Sequence, residues 1–315
     1  MAASLFSSSR SGSNRGGCVS GLTHLERLEA EAILILRDGV AEAEHPVLLF
    51  SGGKDSTVLA HLALEAFYPS RPPMPLLHVD STWEFREVVW FRNQFAAENQ
   101  FELVLHHNEE GRAQALNPID HGSMYTTVMR TDALKQALDA GGYDVIFGGA
   151  RRDEEASRAK ERIVSVRNAG HGWDPRKQRP ELWSQYNWRR SSGQTLRVYP
   201  LSNWTEFDLW AYILLKNIRI CPLYFAAERP VYDQEGTLIV IDDEDRARML
   251  GLSISRMEKV RFRSLGCWPV TAAVPSEASE LSSVVKETFS SRVSERNGRV
   301  SDEGSLENQK RTGYF

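Results

Sequence analysis

Four short apolar runs, each separated from the next by a segment of helical spacing, constrain this chain more than any other feature. They read PVLLF (46–50), PLLHVD (75–80), FELVLHH (101–107) and YDVIFGG (143–149). Strands that alternate apolar and polar residues have one wet face. These runs are almost continuously apolar, as strands of a parallel sheet buried on both faces must be. Between them, residues 55–67, 83–99 and 123–140 place apolar side chains at intervals of three and four, with Val58, Leu62 and Ala66 along one helical face. Strand and helix in alternation predict an α/β doubly wound, mostly parallel sheet. Ahead of the first strand, Thr23 and Glu26 have the spacing of a capping box at the start of a helix through HLERLEAEAILILRD.

Beyond residue 163 the pattern loosens. HGWDPRKQRPELWSQYNWRR (171–190) has three tryptophans, a tyrosine and many cations but no period, and is expected to be a long ordered loop. LRVYPL reads as a further strand, residues 205–216 as an amphipathic helix, and RPVYDQEGTLIVID as a hairpin turning at 234–236. After Ala272 the chain is rich in serine and charge, with one helix expected and a polar tail ending in RTGYF. The predicted organisation is a disordered extension (1–21), an α/β domain (22–215), and a C-terminal region (216–315) of hairpin, helix and tail that contacts a partner.

Composition narrows the function classes. A net charge of −4 carries no nucleic-acid or membrane signature, so any anion site must be local. The longest aliphatic run, Ala32 to Leu36, is too short to span a bilayer. Cys18, Cys221 and Cys267 are odd in number and widely spaced, which fits a reducing cytoplasm and supplies too few thiolates for a four-cysteine zinc or iron–sulfur site. Residues 1–21 hold seven serines, two arginines and no acid, with neither an amphipathic period nor the apolar core of a secretory signal.

The chemistry is expected at strand ends, because open parallel sheets bind ligands beyond their carboxyl edge. SGGKDS (51–56) sits there and opens a helix. Gly52 and Gly53 let backbone N–H groups approach an anion, the helix N-terminus adds partial positive charge, Ser51 and Ser56 offer hydroxyls, and Lys54 adds a full charge. Asp55 would repel a bare phosphate, so it reads either as a magnesium ligand or as a helix cap. A Gly-Gly turn before a capped helix would look similar in isolation; its place after a buried strand favours nucleotide. Neither G-x-x-x-x-G-K-[ST] nor, at the first strand turn, G-x-G-x-x-G occurs. His78 and Asp80 after the second strand, and Gly148 and Gly149 after the fourth, are further ATP-binding candidates. His121, in NPIDHGS, is a weaker one.

FGGARRDEEASRAKER (147–162) follows the fourth strand. On a continuous helix Arg151, Arg158 and Arg162 would share a face, with Glu154 one turn before Arg158 to brace it. A solvated, ion-paired helix would have the same composition. At the ligand-binding edge, however, the arginine forks of Arg151, Arg152, Arg158 and Arg162 suit a tetrahedral dianion or an α-phosphate.

SGGKDS resembles the pyrophosphate-binding loop of the N-type ATP pyrophosphatases, with an adenine nucleotide α-hydrolase-like fold. Together with PLLHVDSTWEFRE, FGGARRDEEASRAKERI, WDPRKQRPELW, PLSNWTEFDLWAYI, LYFAAERPV and RFRSLGCWPVT, it identifies the chain, over roughly residues 22–315, as similar to the small-subunit family of bacterial heterodimeric sulfate adenylyltransferases, within the phosphoadenylylsulfate reductase family. Gly52 is a departure from some members, which carry a bulkier residue there. The resemblance implies ATP and sulfate as substrates, adenylyl sulfate and diphosphate as products, Mg2+ accompanying ATP, catalytic roles for Lys54, Arg151 and Arg158, and a large GTPase subunit as partner. Reductases of the same fold use a cysteine in a C-terminal Glu-Cys-Gly-type motif, and the last 48 residues here contain none. Cys267 lacks the paired cysteine of the iron–sulfur reductases, so no iron–sulfur cluster is expected and Cys267 reads as a packing residue.

Overall fold

Helix α1 (His24–Ala41) begins as its capping box requires: the Thr23 hydroxyl accepts from the Glu26 N–H at 3.3 Å, and the Glu26 carboxylate accepts from the Thr23 N–H at 2.7 Å. The computed structural model describes residues 22–290, so the extension 1–21 and the tail 291–315 lie outside the described residues. Strand β1 (Pro46–Leu49), α2 (Lys54–Phe67), β2 (Leu76–Val79), α3 (Arg86–Glu98) and β3 (Leu103–His106) alternate as expected. After the short α4 (Glu109–Ala113), helix α5 (Gly122–Thr126) passes through a π-helical stretch, Thr127–Asp132, into α6 (Ala133–Gly141) and then β4 (Val145–Phe147). The remaining elements are α7 (Ala156–Ala159), β5 (Val164–Arg167), β6 (Thr195–Val198), α8 (Glu206–Lys216), β7 (Ala227–Gln234), β8 (Thr237–Val240), α9 (Glu244–Met249), β9 (Arg256–Arg261), β10 (Val274–Pro275) and α10 (Leu281–Ser290).

The main sheet has the order β3-β2-β1-β4-β6-β5 and is parallel except for β5, which runs against β6. Side chains alternate across it, which explains the continuous apolar runs. Val47, Leu77 and Ile146 pack under Leu134, Ala137 and Leu138 of α6. On the other face, Leu48, Leu76, Val145 and Phe147 join Ala32, Ile35 and Leu36 of α1 and Val58, Leu59 and Leu62 of α2. The chain proceeds outward from β1 to β3, then returns to place β4 on the other side of β1. The order therefore reverses between β1 and β4, and the loops leaving those two strands flank the crevice where such sheets bind ligands.

Three strands depart from expectation. β5 lies in the stretch expected to lose its pattern; its outer register is interrupted by Ser165 and Arg167, both buried. The C-terminal region is also more ordered than a hairpin plus helix. β7 and β8 form the hairpin, with Glu235 and Gly236 between them, but β9 and β10 extend it to an antiparallel sheet of order β10-β9-β7-β8. Charged positions along RMEKVR conceal β9 from a count of apolar residues. The same core that contains Trp204, Leu209 and Ile213 takes in Leu223, Tyr224, Val231, Phe262 and Trp268. Among the described residues, no helix is long and apolar enough to cross a membrane.

Leu48 is fully buried between β2, β4 and the α1–α2 layer. Leu48→Ala is expected to cost about 2–5 kcal/mol of unfolding free energy, checked by urea denaturation.

Candidate active site

The loop between β1 and α2 is built largely from its own polar groups. Gly52 has φ +73°, a left-handed conformation, and a Cβ there would lie 3.2 Å from Val88 Cγ1. The Ser51 N–H donates to Ser56 Oγ at 3.3 Å, the Gly53 N–H to Ser51 Oγ at 3.3 Å, and Ser56 Oγ to the Gly53 carbonyl at 3.0 Å. Gly53 occupies the N-cap of α2 and has no side chain to cap it. The first N–H of the helix, that of Lys54, instead donates to the Tyr224 hydroxyl at 2.8 Å. From the other side of the crevice, Gly149 presses against the start of α2: a Cβ on it would lie 3.0 Å from the Asp55 carbonyl carbon and 3.1 Å from the Ser56 nitrogen. The Gly148 N–H extends the sheet ladder by donating to the Val198 carbonyl at 2.8 Å.

Asp55 is the counter-ion of two buried cations. One oxygen lies 3.1 Å from Lys54 Nζ, and the other accepts from Arg151 Nε at 2.6 Å. Burial pushes its carboxyl up, but Lys54 and Arg151 outweigh burial and hold it well below the usual carboxylate range. Asp55 makes no side-chain cap; Gly53 occupies the cap position. Each oxygen is already engaged by a cation, and no three potential ligands cluster among the described residues, so these residues do not build a magnesium site.

The arginine segment corrects the expectation of one continuous helix. Arg151 is extended, Arg152–Glu154 form a 3₁₀ turn, and α7 is only one turn long. Successive kinks break the phase that would have aligned Arg151, Arg158 and Arg162. Arg158 Nε does pair with Glu154 at 3.0 Å, as the i,i+4 spacing implied. Arg152 turns to Asn203 at 2.6 Å and lies 3.6 Å from Glu181. Arg162 is exposed, outside any helix.

A cleft of about 250 Å³ opens above the β1–β4 switch point. Ser51, Gly53, Lys54, Asp55, Ser56, His78, Gly149 and Arg158 line it. Asp80, Gly148, Arg151, Arg152 and Arg162 are not among its lining residues. Arg151 and Arg152 border a smaller adjoining cavity that Arg158 shares. Asp80 instead accepts from the Thr82 N–H at 2.8 Å, where Thr82 has φ +66°. His121 fixes a turn, with Nδ1 3.1 Å from the Asn117 nitrogen.

His78 reaches the cleft from below, almost fully buried. Its Nδ1 lies 2.7 Å from the Phe50 carbonyl, and its Nε2 faces both oxygens of Glu84 at 2.9 Å. Burial pushes the Glu84 carboxyl up, yet His78 and Arg92 hold it below its ordinary value. The pair clamps the last residue before the glycine loop.

Sequence reasoning missed Arg130, Glu84, Tyr224 and Ser264–Gly266 on the cleft wall. Arg130 lies in the π-helical stretch, where one extra residue per turn shifts the phase that a 3.6-residue count assumes. Cys267 also borders the cleft, but its sulfur sits 3.4 Å from Ser81 Oγ and Tyr125 Oη and it packs with Leu116 and Met129. Burial and the nearby Cys267 push the Tyr125 phenol well above its ordinary value, so it remains a neutral donor.

Residues 45–273 match the phosphoadenosine phosphosulfate reductase domain family. A Methylorubrum populi protein named sulfate adenylyltransferase subunit 2 is 57% identical over 298 residues, covering 93% of this chain and 96% of that protein. Its namesake in Burkholderia lata is 56% identical over 298 residues, covering 93% of this chain and 100% of that one. The namesake in Acinetobacter baumannii is 54% identical over 300 residues, covering 94% and 98%. A solved phosphoadenylyl-sulfate reductase of Candida auris, in a phosphate complex, has 16% identity and a TM-score of 0.46 over 64% of this chain and 91% of that one.

Two variants probe this geometry. Gly149→Ala must push the first turn of α2 outward against backbone atoms, so ATP affinity is expected to fall roughly tenfold or more with far-UV circular dichroism unchanged. Asp55→Asn removes the shared counter-charge of Lys54 and Arg151 and is expected to cost about 3–5 kcal/mol near neutral pH. Because the folded Asp55 titrates below its unfolded value, its contribution is complete above about pH 4 and lost as the pH falls through the folded value. Urea denaturation across pH should therefore show an acid limb in the wild type that is flatter in Asp55→Asn.

Proposed function

Starting from the fact that the chain belongs to the sulfate adenylyltransferase subunit 2 family, we propose that its cleft joins sulfate to the α-phosphorus of ATP and releases pyrophosphate. The observation that carries this reading is the convergence on one cleft of the glycine loop, Lys54 and Arg158, at the point where the strand order reverses.

The reaction forms a bond from a sulfate oxygen to the α-phosphorus and breaks the bond from that phosphorus to the bridging oxygen, whose electron pair leaves with pyrophosphate. Sulfate is a fully ionised dianion near neutral pH, so no proton need be removed from the nucleophile. The catalytic demands are alignment of two anions and neutralisation of charge on the leaving group. The loop and the N-terminus of α2 hold the β- and γ-phosphates, and Lys54 neutralises charge there. Arg158, braced by Glu154, faces sulfate or the α-phosphate with a planar fork. Arg151 acts through Asp55 as a positioning residue. Magnesium enters as the counter-ion of ATP, part of the substrate.

The product is a high-energy mixed anhydride, so the forward reaction needs a second source of free energy. A GTPase subunit is the proposed partner, because the relatives are named as one subunit of an enzyme and this sequence has no G-x-x-x-x-G-K-[ST] loop. Pyrophosphate release from ATP and sulfate, measured with this chain alone and with partner and GTP, tests the division of labour. Net adenylyl sulfate should be scant without the partner, should rise with GTP, and should not be sustained by a non-hydrolysable analogue. Full yield from this chain alone would defeat the GTPase hypothesis.

Arg158→Lys keeps the charge but loses the fork. It is expected to cost about 2–3 kcal/mol in transition-state stabilisation, or roughly 30- to 150-fold in kcat/KM. Cys267→Ala should retain turnover at a modest stability loss of about 1–2 kcal/mol, measured by urea denaturation. Loss of turnover in a folded Cys267→Ala protein would instead point to thiol chemistry.

A further inference from the structure

The hydroxyl of Tyr224 meets the N-terminus of α2 at the glycine loop. Tyr224 ends a 3₁₀ turn, Pro222–Tyr224, and lies 170 residues from the loop in sequence. It is 1% exposed, and its ring stands edge-on to Trp210 at 5.5 Å, which fixes its direction. Its oxygen accepts the Lys54 N–H at 2.8 Å and lies 3.5 Å from where a Gly53 Cβ would be. The residue borders the cleft. A phenol carries one donor besides its acceptor capacity, and among the described residues none accepts the Tyr224 proton. Burial, the largest influence, pushes this phenol well above its ordinary value, so the proton stays in place throughout the working pH range.

We infer that Tyr224 is a pyrophosphate-binding residue, taking the first N–H of α2 as acceptor and donating its own proton to a β- or γ-phosphate oxygen. The inference rests on the pyrophosphate-loop reading above. Two facts carry it: a buried hydroxyl costs free energy if its donor goes unused, and this one stands against the loop on the wall of the cleft. The chain N–H, O–H, phosphate oxygen runs head to tail, so each hydrogen bond polarises the next. As the α-phosphorus bond breaks, negative charge accumulates on the β-phosphate, and the Tyr224 hydrogen bond strengthens toward the transition state. A neutral donor achieves this without adding a charge that would retain the product.

The test uses the purified full chain and direct binding of four ligands: pyrophosphate, ATP, AMP and adenylyl sulfate. Tyr224→Phe should weaken pyrophosphate and ATP by roughly 10- to 100-fold and leave AMP and adenylyl sulfate, which lack a β-phosphate, within about twofold. Because Tyr224→Phe also removes the acceptor of the Lys54 N–H, a second variant separates the two roles. A fluorotyrosine placed at position 224 is a stronger donor and a weaker acceptor, so donation predicts tighter pyrophosphate binding and mere anchoring of α2 predicts weaker. Equal weakening of all four ligands in Tyr224→Phe, unchanged pyrophosphate affinity, or weaker binding by the fluorinated protein would each overturn the inference. Failure of the unmodified chain to bind pyrophosphate would instead sink the loop reading beneath it.

Discussion

The carboxylate of Asp55 joins the two halves of the site. It stands on the first turn of α2 and holds Lys54 from its own turn and Arg151 from the end of β4. Both cations are buried, and a buried charge is tolerated only where an opposite charge and hydrogen bonds offset its lost hydration. The ionic cluster therefore ties β1 to β4 across the switch point, at the place where the sheet by itself leaves a gap. Gly149 completes the junction sterically, since the absence of a side chain lets β4 approach within van der Waals distance of the α2 backbone. Attraction and close approach act on the same turn of helix, and the glycine loop inherits its position from both.

Further support comes from elements distant in the chain. His78 and Glu84 clamp the Phe50 carbonyl from beneath, while Tyr224 takes the first N–H of α2 from the side. Ser264–Cys267 close part of the wall. Tyr224 and these residues belong to the region that follows α8, and Tyr224 and Leu265 share the hydrophobic core with the main sheet. The loop thus receives its last contacts from the C-terminal region. One tyrosine and one backbone N–H link that region directly to the glycine loop.

The central sheet and the glycine loop were legible in the sequence because both depend on local signals: apolar runs set by two-sided burial, and glycines followed by a helical period. The capping box at Thr23 was legible for the same reason, resting on two residues three apart. The arginine segment was not. Residue types and the Glu154–Arg158 spacing were informative, but the backbone leaves helical geometry between Arg151 and Arg158, and no count of residues anticipates a kink dictated by tertiary packing. β5 and β9 escaped because buried or paired charges, such as Arg167 with Glu161 at 2.7 Å, take positions where an apolar residue would have marked a strand. Tyr224 and Arg130 are invisible for a different reason. The contact of Tyr224 with the loop is made by topology, and the phase of Arg130 depends on a π-helical turn, so neither leaves a local trace.

The charge arrangement of the site bears on why such an enzyme needs a partner. Lys54 lies against Asp55, and Arg158 against Glu154. In the proposed reading, each cation that meets an anionic substrate is thus partly neutralised in advance. Fully exposed cations would bind ATP and sulfate more tightly, but they would bind adenylyl sulfate and pyrophosphate more tightly as well. Uniform binding of substrates and products does not change the equilibrium between them. What the site can favour is the transition state, where charge moves onto the leaving pyrophosphate and donors aimed at the β-phosphate gain most. A cleft built this way accelerates both directions equally. In the proposed reaction, net synthesis of the anhydride is driven from outside the cleft, and the segment bearing Tyr224, which reaches the loop from the C-terminal region, is the proposed point of coupling.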